Sequence, residues 1–176
     1  MRFILPLATI FLLAGCTAPR PVAPPGPVTV AMPALPPPPP KPAAVGPDWR
    51  DWPPTPGVWS YRRDPRGSIA LFGPAYGEAV LVLRCDRAAR MLYLSRAGDH
   101  AATLTLRTTS LTRMLNAVPT GNAEEPFIAV AIKPGDPLLD AMGFSRGHFV
   151  LELAGTPPLV VPAWAEIERV TEDCRG

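Results

Sequence analysis

The sequence predicts a mainly β domain: a small antiparallel β-sandwich or open barrel with short helical insertions and a C-terminal helix, stapled by one disulfide. Three observations predict it. Short runs of alternating apolar and polar residues recur from Gly57 onward, separated by Pro- and Gly-bearing turns. The last dozen residues change to helical spacing. Everything before Asp48 is too rich in proline, or too short and apolar, to belong to the same unit.

Taken in order, Gly57 to Arg63 and Ser68 to Phe72 flank Asp64-Pro65-Arg66-Gly67, which has Pro and Gly where a tight turn wants them, and read as a hairpin. Ala79 to Cys85 and Met91 to Arg96 form a second hairpin across Asp86 to Arg90. Thr103-Leu104-Thr105-Leu106 alternates as a half-buried strand should, and Ser110 to Asn116 reads as a helical turn. Phe127 to Ile132, Phe149 to Leu153 and Leu159 to Val161 complete the strands. Asp136 is a good N-cap, with Pro137 in the first helical position and Gly143 past the end, enclosing a short helix from Pro137 to Met142. A second helix runs from Pro162 to about Asp173. Trp164, Ile167, Val170 and Cys174 share its apolar face, and Glu166, Glu168 and Glu172 lie away from it.

The chain begins MRFILPLATIFLLAGC. Arg2 supplies a positive start and Phe3 to Leu13 an apolar stretch of 11 residues. That suits a secretory signal and falls well short of the roughly 20 residues needed to span a bilayer. Its end, Leu13-Ala14-Gly15-Cys16, resembles the lipobox of bacterial lipoproteins. The resemblance implies removal of residues 1–15 as a signal peptide and acyl chains on Cys16, and two or more chains anchor a protein stably to a membrane. Thr17 is not the aspartate associated with inner-membrane retention, so the expected location is the outer membrane, with the domain in the periplasm. Residues 16–47 form the lipidated tether and 48–176 a single globular domain. From Pro19 to Pro47, 13 of 29 residues are proline. Such a stretch favours polyproline II and reaches up to roughly 90 Å at about 3.1 Å per residue.

Three cysteines is an odd number for a secreted chain. With Cys16 acylated, Cys85 and Cys174 are left to pair in an oxidising compartment. Closing so long a loop contributes roughly 4–5 kcal/mol in the chain-entropy model. A metal site is the alternative, but two cysteines without nearby histidines are too few ligands for zinc. No metal or cofactor is expected.

Charge narrows the function classes. From Asp48 to Gly176 there are 14 basic and 15 acidic residues, a net of −1, because Arg2, Arg20 and Lys41 precede Asp48 and no acid does. A nearly neutral domain is a poor candidate for nucleic acid. Gly143-Phe144-Ser145-Arg146-Gly147 matches G-x-S-x-G, with His148 beside it, and raises an esterase reading through Ser145. Its context opposes that reading, since a nucleophile elbow needs a strand before the serine and a helix after it. His100 sits in a loop, and Glu124-Glu125 in a Gly- and Pro-flanked one. The expectation is a non-enzyme. Arg84, Arg87, Arg90 and Arg96 surround one hairpin and form a candidate surface for an anionic envelope component. Trp49 and Trp52, with Trp59, either offer a platform for a sugar or pack onto the sheet and seal the core.

These features predict a non-catalytic envelope lipoprotein, joined to the membrane by lipid on Cys16, that binds an envelope protein or peptidoglycan. Cys85-Asp86 followed by Leu92 and Leu94 is similar to the membrane-bound lysozyme inhibitor lipoproteins, which implies the alternative of a periplasmic inhibitor of a lysozyme-like hydrolase. That family's Ser-Gly and tyrosine segment is not found in proper form between Met142 and Phe149. In architecture alone the chain also resembles invasion-associated secreted β-sandwich proteins.

Overall fold

The computed structural model describes residues 46–176. The signal peptide, Cys16 and the tether as far as residue 45 lie outside the described residues.

Nine strands are present: β1 (Val58–Asp64), β2 (Gly67–Gly73), β3 (Leu81–Asp86), β4 (Met91–Ala97), β5 (Ala102–Arg107), β6 (Thr112–Gly121), β7 (Pro126–Ile132), β8 (His148–Leu153) and β9 (Leu159–Pro162). Helix α1 (Pro137–Gly143) lies between β7 and β8, and α2 (Ala165–Arg175) follows β9. Every pairing is antiparallel, and the strands form one open sheet in the order β1-β2-β3-β4-β7-β6-β5-β8-β9.

Turn chemistry sets the hairpins. Asp64 Oδ1 accepts from the backbone N–H of Arg66 (2.9 Å) and Gly67 (3.0 Å), closing the β1–β2 turn. Gly67 has no substitute there, since a Cβ would sit 2.7 Å from the carbonyl oxygen of Cys85 in β3. In the β3–β4 turn Asp86 Oδ1 accepts from the Ala89 N–H at 2.9 Å, and Arg90 takes a left-handed φ of 55°.

Period-2 alternation places one face of each strand in a shared core. Across the sheet, Phe72 lies opposite Leu81, Leu83 opposite Leu94, Leu92 opposite Ile132, Leu104 opposite Leu153, and Leu106 opposite Leu151. All are buried, and each contributes about 1.5–3 kcal/mol by leaving water. Leu138, Leu139 and Met142 of α1 and Ile167 and Val170 of α2 belong to the same core. Asp136 caps α1 as expected, accepting from Leu138 N–H at 2.8 Å. Cys174 in α2 is bonded to Cys85 in β3 with Cα atoms 5.4 Å apart, across 89 positions of sequence.

Two expectations are corrected. Ser110 to Asn116 is not a helical turn: β6 begins at Thr112, with Leu115 and Ala117 buried and their neighbours exposed. Thr112 to Ala117 pair with β5 and Val118 to Gly121 with β7, so β6 gains ladder bonds on both sides that an isolated turn would forgo. The second helix begins at Ala165, because Pro162 is held in β9 opposite His148 and Ala163 N–H bonds to Gly147 O. Trp164 therefore becomes the N-cap and stands 47% exposed instead of facing the core.

The sheet curls until its edges meet. The Trp59 indole in β1 donates to Pro162 O at the end of β9 (2.9 Å). Just ahead of β1, Thr55 N–H donates to Val160 O, and Val160 N–H to Thr55 Oγ1, both at 2.9 Å. The leading segment thus straps the seam of an open barrel and covers part of an edge that would otherwise offer free N–H and C=O groups to other chains.

A buried arginine and a half-buried glutamate are set against this frame. Arg96, 5% exposed, is on the same face of β4 as Leu92 and Leu94. It donates to Leu151 O (2.9 Å), Thr156 Oγ1 (2.8 Å) and Pro157 O (2.7 Å), tying β4 to the β8–β9 turn. Burial lowers its guanidinium to about 10, so it stays protonated at neutral pH. Glu168 in α2 lies against the end of α1, where a Cβ on Gly143 would fall 1.6 Å from its Oε1. That oxygen is buried with no hydrogen-bond partner among the described residues. Desolvation, and then the Asp140 charge, raise the Glu168 carboxyl above its ordinary range. A raised carboxyl means that the native state takes up a proton more readily than the unfolded chain, so Glu168 weakens the fold at neutral pH and less so as pH falls. Glu168→Gln is expected to raise Tm at pH 7, with the gain shrinking toward pH 4. Equal melting of the two proteins at pH 7 would refute this account.

Candidate functional site

Two openings on the surface of the described residues are candidate sites. The larger is a groove of about 930 Å³ on the outer face of β1 to β4, between the 74–79 and 121–126 loops. Ile69, Leu71 and Val82 are among its lining and make an apolar floor, and Arg62, Arg84, Glu124 and Glu125 add charge. Tyr76 stands fully exposed on one wall, at a left-handed φ of 66°. Arg84 is ion-paired with Asp64.

The smaller is a cleft of about 560 Å³ where three segments meet. One wall is a single 3-10 turn, Trp49–Asp51, capped by Asp48, whose Oδ1 accepts from Arg50 N–H at 3.0 Å. A carbonyl can only accept, so His148 carries its proton on Nε2 and donates to Trp49 O at 3.2 Å. The two rings meet edge to face with centroids 5.6 Å apart, and the Arg50 guanidinium lies 5.0 Å from the Trp49 ring centre. The second wall is the β5–β6 turn, where Thr108 Oγ1 accepts from the N–H of Ser110 (3.3 Å) and Leu111 (3.0 Å). The third is the turn from α1 into β8, which presents Phe144 (72% exposed) and Arg146.

Ser145 holds the last two walls together. Its hydroxyl donates to His148 O (2.6 Å) and accepts from Thr109 N–H (3.1 Å), while Arg146 N–H donates to Thr109 Oγ1 (3.2 Å). The G-x-S-x-G match is accounted for residue by residue. Gly143 makes room for Glu168, Gly147 takes a φ of 80°, and Ser145 is a buried fastener. Its proton goes to the His148 carbonyl, while the His148 ring turns toward Trp49.

The remaining sequence candidates are dispersed. Arg87 and Arg90 are exposed on the β3–β4 turn, Arg84 lies on the outer face of β3, and Arg96 is buried at the far end of the hairpin, so the four do not share one surface. Beside Arg87 the chain brings other arginines instead. Arg66 pairs with Asp86, and Arg169 stacks 4.0 Å over the Tyr61 ring, whose hydroxyl donates to Asp173 at 2.5 Å. Burial pushes the Asp173 carboxyl up, but the Tyr61 hydrogen bond and the Arg63 and Arg87 charges outweigh it and hold the carboxyl below its usual range. Trp59 is core, tilted on Phe72 at 5.3 Å, and Trp52 folds back to donate to Gly46 O. Only Trp49 of the three lines the cleft. His100 is bonded to Asp99 on an exposed loop. Arg50, Thr109, Ser110, Phe144 and Arg146 were not singled out by sequence as binding groups. An apolar Phe144 inside a Gly-bounded turn was the one available signal.

Among the described residues, no group of three or more His, Cys, Asp or Glu side chains is placed to hold a metal ion, and no helix is long and apolar enough to cross a membrane. Compared with known proteins, the chain matches no family model, no curated protein and no solved structure.

Proposed function

We propose that this protein is a non-catalytic lipoprotein of the cell envelope, held at the outer membrane by acyl chains on Cys16, whose β domain binds an envelope protein from the periplasmic side. The observation that supports the reading is the outer-face groove. The core of the barrel is filled by Phe72, Phe149 and the leucines around them, yet on the outer face the half-buried Leu71 and Val82, beside the buried Ile69, form a second apolar surface between two loops. An apolar floor rimmed by charge is the composition of a recognition surface.

The test is in-cell cross-linking of the tagged full chain followed by mass spectrometry, beside Cys16→Ala and a groove variant, Leu71→Glu. A partner recovered with the native chain and lost from both variants is the expected result. A membrane fraction unchanged by Cys16→Ala would refute the anchoring. Failure to recover any partner, together with inhibition of a lysozyme by the purified protein, would replace this reading with that of a hydrolase inhibitor.

A further inference from the structure

We infer that the cleft between Trp49, Phe144 and Arg146 is a binding site for a sugar that carries a carboxylate. A volume of about 560 Å³ lies within the ordinary range for small-ligand sites and suits one or two sugar rings. Its apolar contacts are aromatic. Phe144 is 72% exposed although no core position demands its presence, and Trp49 is held side-on by His148. The face of an aromatic ring is the negative end of its quadrupole and meets the positive C–H edges of a sugar.

Its polar contacts divide by charge. Asp48 engages Arg50 at 3.3 Å, whereas Arg146 makes no ion pair among the described residues. One unengaged guanidinium matches one carboxylate, to which it can donate two parallel hydrogen bonds. Ser110 is exposed and Thr109 half-buried, so their hydroxyls can meet a sugar's own. Two cations on a domain of net charge −1 are too few for a phosphate polymer, which needs many. The walls are also set before any ligand arrives, because Ser145 ties Thr109 to the strand carrying His148 and His148 ties down Trp49. A preset site loses little freedom on binding.

The test is isothermal titration of the full chain in detergent with N-acetylmuramic acid, digalacturonate and neutral chitobiose. The variants are Arg146→Gln and Phe144→Ser, both exposed positions whose melting should match the native protein. Binding of both acidic sugars, absent for chitobiose and weakened about tenfold or more by Arg146→Gln, is the expected result. Binding of N-acetylmuramic acid alone keeps the inference and narrows the source to peptidoglycan. Equal binding of chitobiose, indifference to both variants, or no binding of any of the three sugars would overturn it. None of these outcomes bears on the groove, whose partner is read by cross-linking.

Discussion

Reducing the Cys85–Cys174 bond is expected to lower the stability of the domain by about 4–5 kcal/mol, the loop-closure value for a ring of this length. For a domain of this size that corresponds to a fall in Tm of roughly 15–20 °C. The bond also sits where loss of order is most consequential. α2 brings Ile167 and Val170 into the core, but no side chain caps its start, and Cys174 fastens its last turn to β3. Thermal melts with and without reductant read the effect directly. A shift below about 5 °C would mean that the helix docks by packing alone and that the bond adds little.

Arg96→Met is expected to cost about 1–3 kcal/mol, although Met fills much of the same volume. Leu151 O loses its donor inside the protein, and a buried group left unpaired costs about 1–3 kcal/mol, whereas Thr156 and Pro157 lie on the exposed β8–β9 turn, where water can replace the guanidinium. Thr156→Val removes one of these contacts and should cost about 1 kcal/mol. Denaturant unfolding distinguishes the two. Equal midpoints for Arg96→Met and the native protein would show that water reaches Leu151 O and takes over the guanidinium's bond there.

The fold was largely legible because its strands obey a local rule. Eight of the nine, all but β6, were read from alternation bounded by turn residues such as Asp64-Pro65-Arg66-Gly67. β6 was misread because Leu111, Met114 and Leu115 also satisfy helical spacing, and what settles the matter is pairing with β5 and β7, which lie elsewhere in the chain. Pro162 carried the same ambiguity, since proline suits both a first helical turn and the end of an edge strand. The site was much less legible. Trp49 and His148 each drew notice, but 99 positions separate them and only the curl of the sheet brings them together. The arginines erred the other way. Arg84 and Arg96 are close in sequence, yet one faces outward from β3 and the other inward from β4.

The strap across the barrel seam has a mechanical consequence. Any pull on the chain ahead of Gly46 enters the domain through the Trp49–His148 contact and the paired Thr55–Val160 bonds before it can reach β1. Those few bonds act as a fuse. Under load they release first and lengthen the chain, and the force on β1 drops before its ladder with β2 begins to unzip. The domain can therefore yield at its margin under tension while the filled core, and the groove on its outer face, keep their shape.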